Sequence, residues 1–495
     1  MLEPEALTQA RQAPGSSEPA EIAVVDQTLR DAHQCLWATR MTTAHMLPIA
    51  ELMDRVGFQR IEVIAAIQFD VCVRFLRENP WERVRLMRER ITRTPLSSFL
   101  RSKNIVSFDF MPDDIVGLWV ERLVANGVRE IGSFDGLNDV DNMLVALDVA
   151  RKLGARTIGA LSYCLSPAHT DALYVRTAKA LIERGKVDAI WIKDAGGLLT
   201  VDRVRTLVPA VRKVAGQTPI ELHSHCLTGV APLVYLEGVK AGADRIHTSI
   251  APLANGAAQP SLQSMAKNLR ALGYRVDVDD DAVASIGDHF RRIAEQENKP
   301  LGQVLEYDTF HYEHQIPGGM LSNFRVQLAE LGLSHKFQEL LEECARVRKE
   351  LGYPIMITPF AQFVGIQAVL NVVHQDRYRY VPDEVKKYAL GYYGKLLAPV
   401  DPEVLDRIIA NGSPHIALKP EPLAPALAKL RRQYPHATDD ERALRIMFAG
   451  AQVDEMISAG PTRTEYAFEK PMVRLVRELA SRKITRVHFS AADSS

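Results

Sequence analysis

Residues 189–197, AIWIKDAGG, are an apolar run ending in a lysine, and residues 219–226, PIELHSHC, are a second run ending in two histidines. Short β-rich runs of this kind predict buried strands. Six more follow the same pattern: AVVDQTL (23–29), RIEVIAA (60–66), PLSSFLR (95–101), EIGSFDG (130–136), RTIGALSYC (156–164) and RIHTSIAPL (245–253), which makes eight. The intervening stretches have helical periodicity. In DDIVGLWVERLVANG, Ile115, Leu118, Trp119, Leu123 and Val124 recur three or four apart, and Gly127 suits a helix C-cap.

Spacings of about 25 to 37 residues fit one βα unit per strand. Eight units predict an α/β fold of the (β/α)8 TIM-barrel type, with an open doubly wound sheet as the alternative. The polar residues separate the two. Asp31, Asp135, Lys193, His223 and His225 all fall at or just beyond strand C-termini, the face on which such barrels build active sites. A purely structural lysine inside an apolar strand would bury an unpaired ammonium at high cost. The barrel is favoured.

Beyond about residue 275 the strand pattern stops. Residues 283–298, 324–351, 362–375, 383–396 and 402–411 read as helices, broken by HQIPGG (314–319) and YPIMITP (353–359). The expected organisation is a disordered leader over 1–20, a barrel over 21–275, a mainly helical funnel-like domain over 276–412 and a C-terminal extension over 413–495. That extension opens with a Pro-rich connector, PHIALKPEPLAPA, and carries a helix near 470–482 and a short strand, ITRVHFS.

Lys and Arg number 60 against 61 Asp and Glu, with no basic block, which argues against nucleic acid or an anionic membrane as the main partner. The five cysteines are scattered without a CxxC pair, so neither a disulfide framework nor a thiolate zinc site is indicated. With no apolar leader of signal-peptide type and no spanning run, a cytoplasmic location without membrane insertion is expected.

His223 and His225, two apart on a strand, point to one side and can face one ion; a satisfied polar pair at a strand end is the bland reading. Asp31 and Lys193 converge on the same barrel mouth. Asp31, His223 and His225 offer ligands suited to Zn, Mn or Co. A lysine desolvated beside a divalent cation would have a depressed pKa, and its neutral amine could add carbon dioxide to become a carbamate ligand. Pairing of Lys193 with Asp194 is the competing reading.

Six motifs in order, LRDAHQ (29–34), FDGLND (134–139), IKDAGGLL (192–199), HSHCLTG (223–229), QIPGGMLSN (315–323) and ITPFAQFVGIQAVLNV (357–372), resemble the carboxyltransferase domain of biotin-dependent enzymes. That family includes pyruvate carboxylase, transcarboxylase and the oxaloacetate decarboxylase α subunit. The resemblance spans roughly residues 22 to 410. It implies metal ligation by Asp31, carboxylated Lys193, His223 and His225. It also implies keto-acid contacts from Gln34 and Arg101, with Arg30 beside Asp31, and a proton shuttle at Thr358. Carboxybiotin would give up its carboxyl group at the barrel mouth to a 2-oxo acid, or the reverse.

Several positions depart from the family pattern. The family's Trp-Gly-Gly-Ala-Thr is Ile64-Ala65-Ala66-Ile67-Gln68 here, so left-handed backbone at the two alanines would be strained. A tyrosine is replaced by Phe108, an arginine by Gly132, a methionine by Ala195, an Asp or Ser by Cys226, and a serine by Ala361. Loss of volume and polarity at Phe108, Gly132 and Ala195 predicts an acceptor bulkier or less polar than pyruvate. Cys226 is either a reactive thiolate or a buried filler. No lysine stands in an Ala-Met-Lys-Met context, so a separate biotinyl carrier protein and biotin carboxylase subunit are expected partners, with a homodimer or other homo-oligomer. The alternatives are a biotin-independent metal lyase or aldolase on the same barrel, and an impaired scaffold subunit.

Overall fold

The computed structural model describes residues 18–330, 332–469 and 471–481. The expected leader, except for its last three residues, and the expected strand ITRVHFS lie outside the described residues. Eight parallel strands close in sequence order: β1 (Ala23–Asp26), β2 (Arg60–Ala65), β3 (Leu96–Arg101), β4 (Glu130–Phe134), β5 (Arg156–Ser162), β6 (Ala189–Asp194), β7 (Ile220–Ser224) and β8 (Arg245–Thr248). Ala23–Arg245 through Asp26–Thr248 pair β1 with β8 and shut the barrel. All eight expected runs form strands; most end before their runs do, where the chain bends into the mouth loops, whereas β3 keeps Arg101 and only starts one residue later.

The outer helices start and stop where side chains and glycine allow. Thr200 accepts from the Arg203 N–H to open the helix Val201–Ala215, and Gly216 at φ +57° ends it. The helix Asp113–Ala125 is followed by Gly127 at φ +117°, as its periodicity predicts. The stretch expected as one helix over 324–351 is two, Gly318–Glu330 and Phe337–Glu350. Gly332 at φ +69° turns the chain, and the Leu333 N–H bonds back to the Leu328 carbonyl at 2.7 Å.

A second apolar core, including Phe324, Leu340, Val347, Phe363 and Val364, joins the helices between 318 and 411. This unit sits on the mouth loops. Gln315 Nε2 and Arg348 Nη2 both donate to the Leu165 carbonyl at 2.8 Å, and His311 Nε2 lies 2.6 Å from the Gly196 carbonyl. The helix Asp280–Glu297, by contrast, buries Val283, Ile286, Phe290 and Ile293 in the barrel's own core. Three helices not expected from sequence, Leu427–Gln433, Asp439–Met447 and Gly450–Ser458, return to the barrel's flank. There Asp440 takes Arg122 at 2.7 Å and Arg85 at 3.0 Å, and its carbonyl accepts from the Trp81 indole at 2.9 Å.

Inside the barrel, Phe99 and Trp191 meet edge to face with centroids 4.0 Å apart, among Ala65, Ile158, Ala160 and Ala189. Beneath them the floor is ionic. Arg60 makes a two-pronged contact with Glu221 at 2.7 and 2.6 Å, and Arg245 reaches the same carboxylate at 2.9 Å. Charges so enclosed persist only because each is paired.

Candidate active site

Asp26 ends β1 and accepts from the N–H groups of Thr28 and Leu29, drawing the chain into a wide helical turn that delivers Asp31 over the mouth. His223 lies on β7 and His225 one residue beyond it. Asp31 Oδ2 is 3.2 Å from His223 Nε2 and 3.1 Å from His225 Nε2, and the two Nε2 atoms are 3.1 Å apart. A tetrahedral ion with bonds of roughly 2.0–2.1 Å sets its ligand atoms roughly 3.3–3.4 Å apart, close to these separations. All three residues are buried. The set fits a divalent cation.

Each imidazole is held so that Nε2 faces that point. His223 Nδ1 is 3.2 Å from His247 Nδ1, and His247 Nε2 is 3.0 Å from Glu221 Oε2. His225 Nδ1 is 2.6 Å from the Ala257 carbonyl. A proton on each Nδ1 leaves Nε2 as a free donor pair. Burial alone would depress His225, but Asp31 and Cys35 beside it push it up to about 10, so a cation would displace the second proton from its Nε2. Burial works against the Asp31 charge too, yet Arg30 and His225 hold its carboxyl well below the usual range.

Lys193 pairs in register with His223 across β6 and β7 and is buried. Its ammonium lies 4.7 Å from the Trp191 ring and 5.3 Å from the Phe134 ring, with no carboxylate at ion-pair distance among the described residues. Burial lowers its pKa, with Asp31 partly opposing. Asp194 is not its partner: that carboxylate accepts from Ser224 Oγ at 2.6 Å and from the Leu198 and Leu199 N–H groups at 2.8 Å.

Arg101 ends β3 on the face that carries Phe99 inward. It is buried, gives one hydrogen bond to the Ser107 carbonyl at 3.3 Å, and has no carboxylate at ion-pair distance among the described residues. Burial pushes its pKa down to about 10, with Asp70 partly opposing. Arg30 is differently placed. Its guanidinium is taken up by Asp31 at 2.7 Å, Glu62 at 2.9 Å and Gln27 at 2.9 Å, so it positions Asp31. Gln34 is half-buried and accepts from Gln68 Nε2 at 3.3 Å. Thr358 enters from the helical domain with a half-buried hydroxyl that accepts from Gln362 Nε2 at 3.2 Å. Phe360, two residues on, packs over Gly136 in the loop after β4. Asp135 organises that loop, accepting from Leu137, Asp139, Ser102 and Asn142, and stays outside the triad.

The departures resolve individually. Ala65 is extended, at φ −149°, and Ala66 begins a helix, so no left-handed strain exists there. Gln68 closes this helix start by accepting from the Ala65 N–H at 3.1 Å while donating to the Arg30 carbonyl at 2.9 Å. At Gly132 no volume is released: an added Cβ would come within 2.0 Å of the Phe99 ring, which already fills the space. Phe108 is largely exposed, with its ring 5.8 Å from the Arg101 guanidinium. Ala195 is half-buried against the barrel core, and Ala361 is buried in the helical one. Burial pushes the Cys226 thiol up to about 12, which makes it a filler. The motifs did not single out His247, Glu221, Glu62 or Gln259, whose roles come from partners on other strands.

Two family models match the chain: one described as HMGL-like over residues 140–289, and one described as a conserved carboxylase domain over residues 312–456. The second reaches past residue 412 into the three flank helices. A pyruvate carboxylase subunit of Methanocaldococcus jannaschii is 44% identical over 407 residues, 82% of this chain and 71% of that one. The chain belongs to the carboxyltransferase family of biotin-dependent carboxylases. The 2-oxoglutarate carboxylase large subunit of Hydrogenobacter thermophilus resembles this carboxyltransferase at 34% identity over 406 residues, 82% of this chain and 62% of the relative. A solved structure of the carboxyl transferase domain of Rhizobium etli pyruvate carboxylase, with pyruvate and biocytin, has a TM-score of 0.81 at 26% identity. The match covers 89% of this chain and 78% of that one. No described helix of the carboxyltransferase is long and apolar enough to cross a membrane.

Proposed function

We propose that this carboxyltransferase exchanges a carboxyl group between carboxybiotin, a substrate carried on a separate protein, and a 2-oxo acid. Pyruvate is the favoured acceptor. The observation that carries this reading is Arg101, a buried guanidinium with no carboxylate partner among the described residues, at the mouth that also holds Asp31, His223 and His225. One free guanidinium matches one substrate carboxylate, which favours pyruvate over a dicarboxylate. The filled space at Gly132 argues against a bulkier acid.

Asp31, His223, His225 and the carbamate of Lys193 would hold a divalent cation, Zn, Mn or Co, which supplies positive charge where an enolate oxygen develops. Arg101 binds the acceptor's carboxylate, and Gln34 turns its amide N–H to the keto oxygen. Thr358 Oγ1 gives its proton to the biotin ureido nitrogen as the N–CO2 bond breaks. It takes one from the acceptor's methyl group, leaving an enolate that captures the carbon dioxide. Run backwards, the same groups decarboxylate. A biotinyl carrier and a biotin carboxylase subunit are the partners this chemistry needs, and a cytoplasmic homodimer or higher oligomer is the proposed form.

Carboxyl transfer from a carboxylated carrier to pyruvate tests the reading. Lys193→Ala and Thr358→Ala are expected to abolish it while the barrel stays folded. Retained transfer in Lys193→Ala would overturn the carbamate. Bound metal without any response to a biotinylated carrier would favour the lyase reading.

A further inference from the structure

The mouth contains a fourth polar atom aimed at the point between Asp31 and the two histidines. Gln259 is fully buried in the loop after β8. Its Nε2 lies 2.8 Å from Asp31 Oδ2, 3.1 Å from His225 Nε2 and 3.4 Å from His223 Nε2. Together with the 3.1 and 3.2 Å separations among the three ligand atoms, these distances describe a nearly regular tetrahedron. A tetrahedron with such edges has its centre roughly 1.9 Å from each corner, close to the roughly 2.0–2.2 Å of zinc–nitrogen and zinc–oxygen bonds.

The loop that carries this amide is fixed to the site at neighbouring positions. The Ala257 carbonyl holds His225 Nδ1, and the Ala258 carbonyl accepts from the Cys226 N–H at 2.9 Å. Behind the amide, Ser249 Oγ, itself fully buried, donates to Gln259 Oε1 at 3.0 Å. A half turn about the terminal torsion exchanges Oε1 and Nε2 without moving either position. Ser249 then accepts where it had donated, because a hydroxyl can do both. The inward atom becomes a carbonyl oxygen, a hard donor that among Zn, Mn and Co suits Mn best. An amide is thus suited to this corner in both senses: as N–H donor to Asp31, or as oxygen ligand.

We infer that Gln259 is a ligand of the metal centre through its amide oxygen, at the fourth corner beside Asp31, His223 and His225, so that the Lys193 carbamate would enter as a fifth ligand. The inference rests on the metal reading above. Cobalt(II) titration of the full chain, followed by visible absorbance and chelator competition, tests it. Gln259→Met keeps the length of the side chain but has no strong donor oxygen. It is expected to weaken cobalt binding by about 10- to 100-fold and to alter the cobalt spectrum. Gln259→Glu, which supplies an oxygen, is expected to restore binding. Circular dichroism confirms that both variants are folded. If Gln259→Met binds cobalt as tightly as the unmodified chain with an unchanged spectrum, while Asp31→Asn and His225→Ala lose it, this inference falls and the metal centre stands. If the folded unmodified chain takes up no cobalt, both fall.

Discussion

His223 Nδ1 lies 3.2 Å from His247 Nδ1, and His247 turns its other ring nitrogen to Glu221 Oε2 at 3.0 Å. This line of three side chains runs from the ionic floor of the barrel to its mouth. The carboxylate fixes the proton on His247 Nε2, so His247 Nδ1 accepts from His223, and His223 Nε2 is left free for a cation. His247→Phe would keep the stacking on Trp191, now at 4.7 Å, and leave Glu221 paired with Arg60 and Arg245. The expected result is a folded barrel whose metal dissociation constant rises about 10- to 100-fold. Chelator competition measures it, and unchanged affinity would remove His247 from the metal site.

Arg101 makes an opposite demand on stability and on activity. A buried guanidinium without an anion costs the folded state, whereas a bound carboxylate gains a charge-assisted partner. Arg101→Ala is therefore expected to raise the pyruvate KM by about two orders of magnitude, the loss of one strong ionic contact. The melting temperature should stay level or rise. Arg101→Lys should recover part of the KM but not the two-pronged geometry. A large fall in melting temperature with little change in KM would mean that Arg101 is structural.

Much of the site could be read in the chain because strand-end polarity is local. Lys193 closes an otherwise apolar strand, and His223 and His225 share one side of the next, so no partner is needed to notice them. Gln259 and His247 gave no such signal. Gln259 sits in a loop with no spacing motif, and His247 alternates within RIHTSIAPL like any strand residue; each gains meaning from residues 24 to 228 positions away. The charged floor was hidden for the same reason, since Arg60, Glu221 and Arg245 pair between strands. The flank helices beyond residue 426 were missed because a Pro-rich run precedes them and their anchor, Asp440, is matched by arginines on the barrel's outer helices.

Gly132 and Phe99 share one space. Gly132→Ala would bring a methyl within 2.0 Å of the Phe99 ring, a contact that the closed barrel cannot relax cheaply. Destabilisation of about 1–3 kcal/mol is expected from urea melts. Phe99→Leu alone should cost stability through the vacated ring. The double variant should be more stable than the sum of the two single losses predicts. Additive losses would show that the ring does not occupy the room that glycine leaves.

At the opposite face of the barrel, Asp54 ties the chain after β1 to the segment leading into β3. Its carboxylate accepts from the N–H groups of Thr92 at 2.9 Å, Arg93 at 3.1 Å and Thr94 at 2.7 Å. Burial raises its pKa, but these donors outweigh it and bring the value from 3.8 down to about 2. Because the folded value lies below the unfolded one, the carboxylate's contribution is fully present above about pH 4 and is lost as pH falls through 2. Allowing for water at its edge, that contribution is about 1 kcal/mol. Asp54→Asn should therefore lower stability at pH 6 and flatten the loss between pH 4 and pH 2, while carboxyl transfer at neutral pH stays unchanged, since Asp54 lies away from the mouth. Urea melts across that range measure it. Equal acid losses in the two proteins would place the titrating group elsewhere.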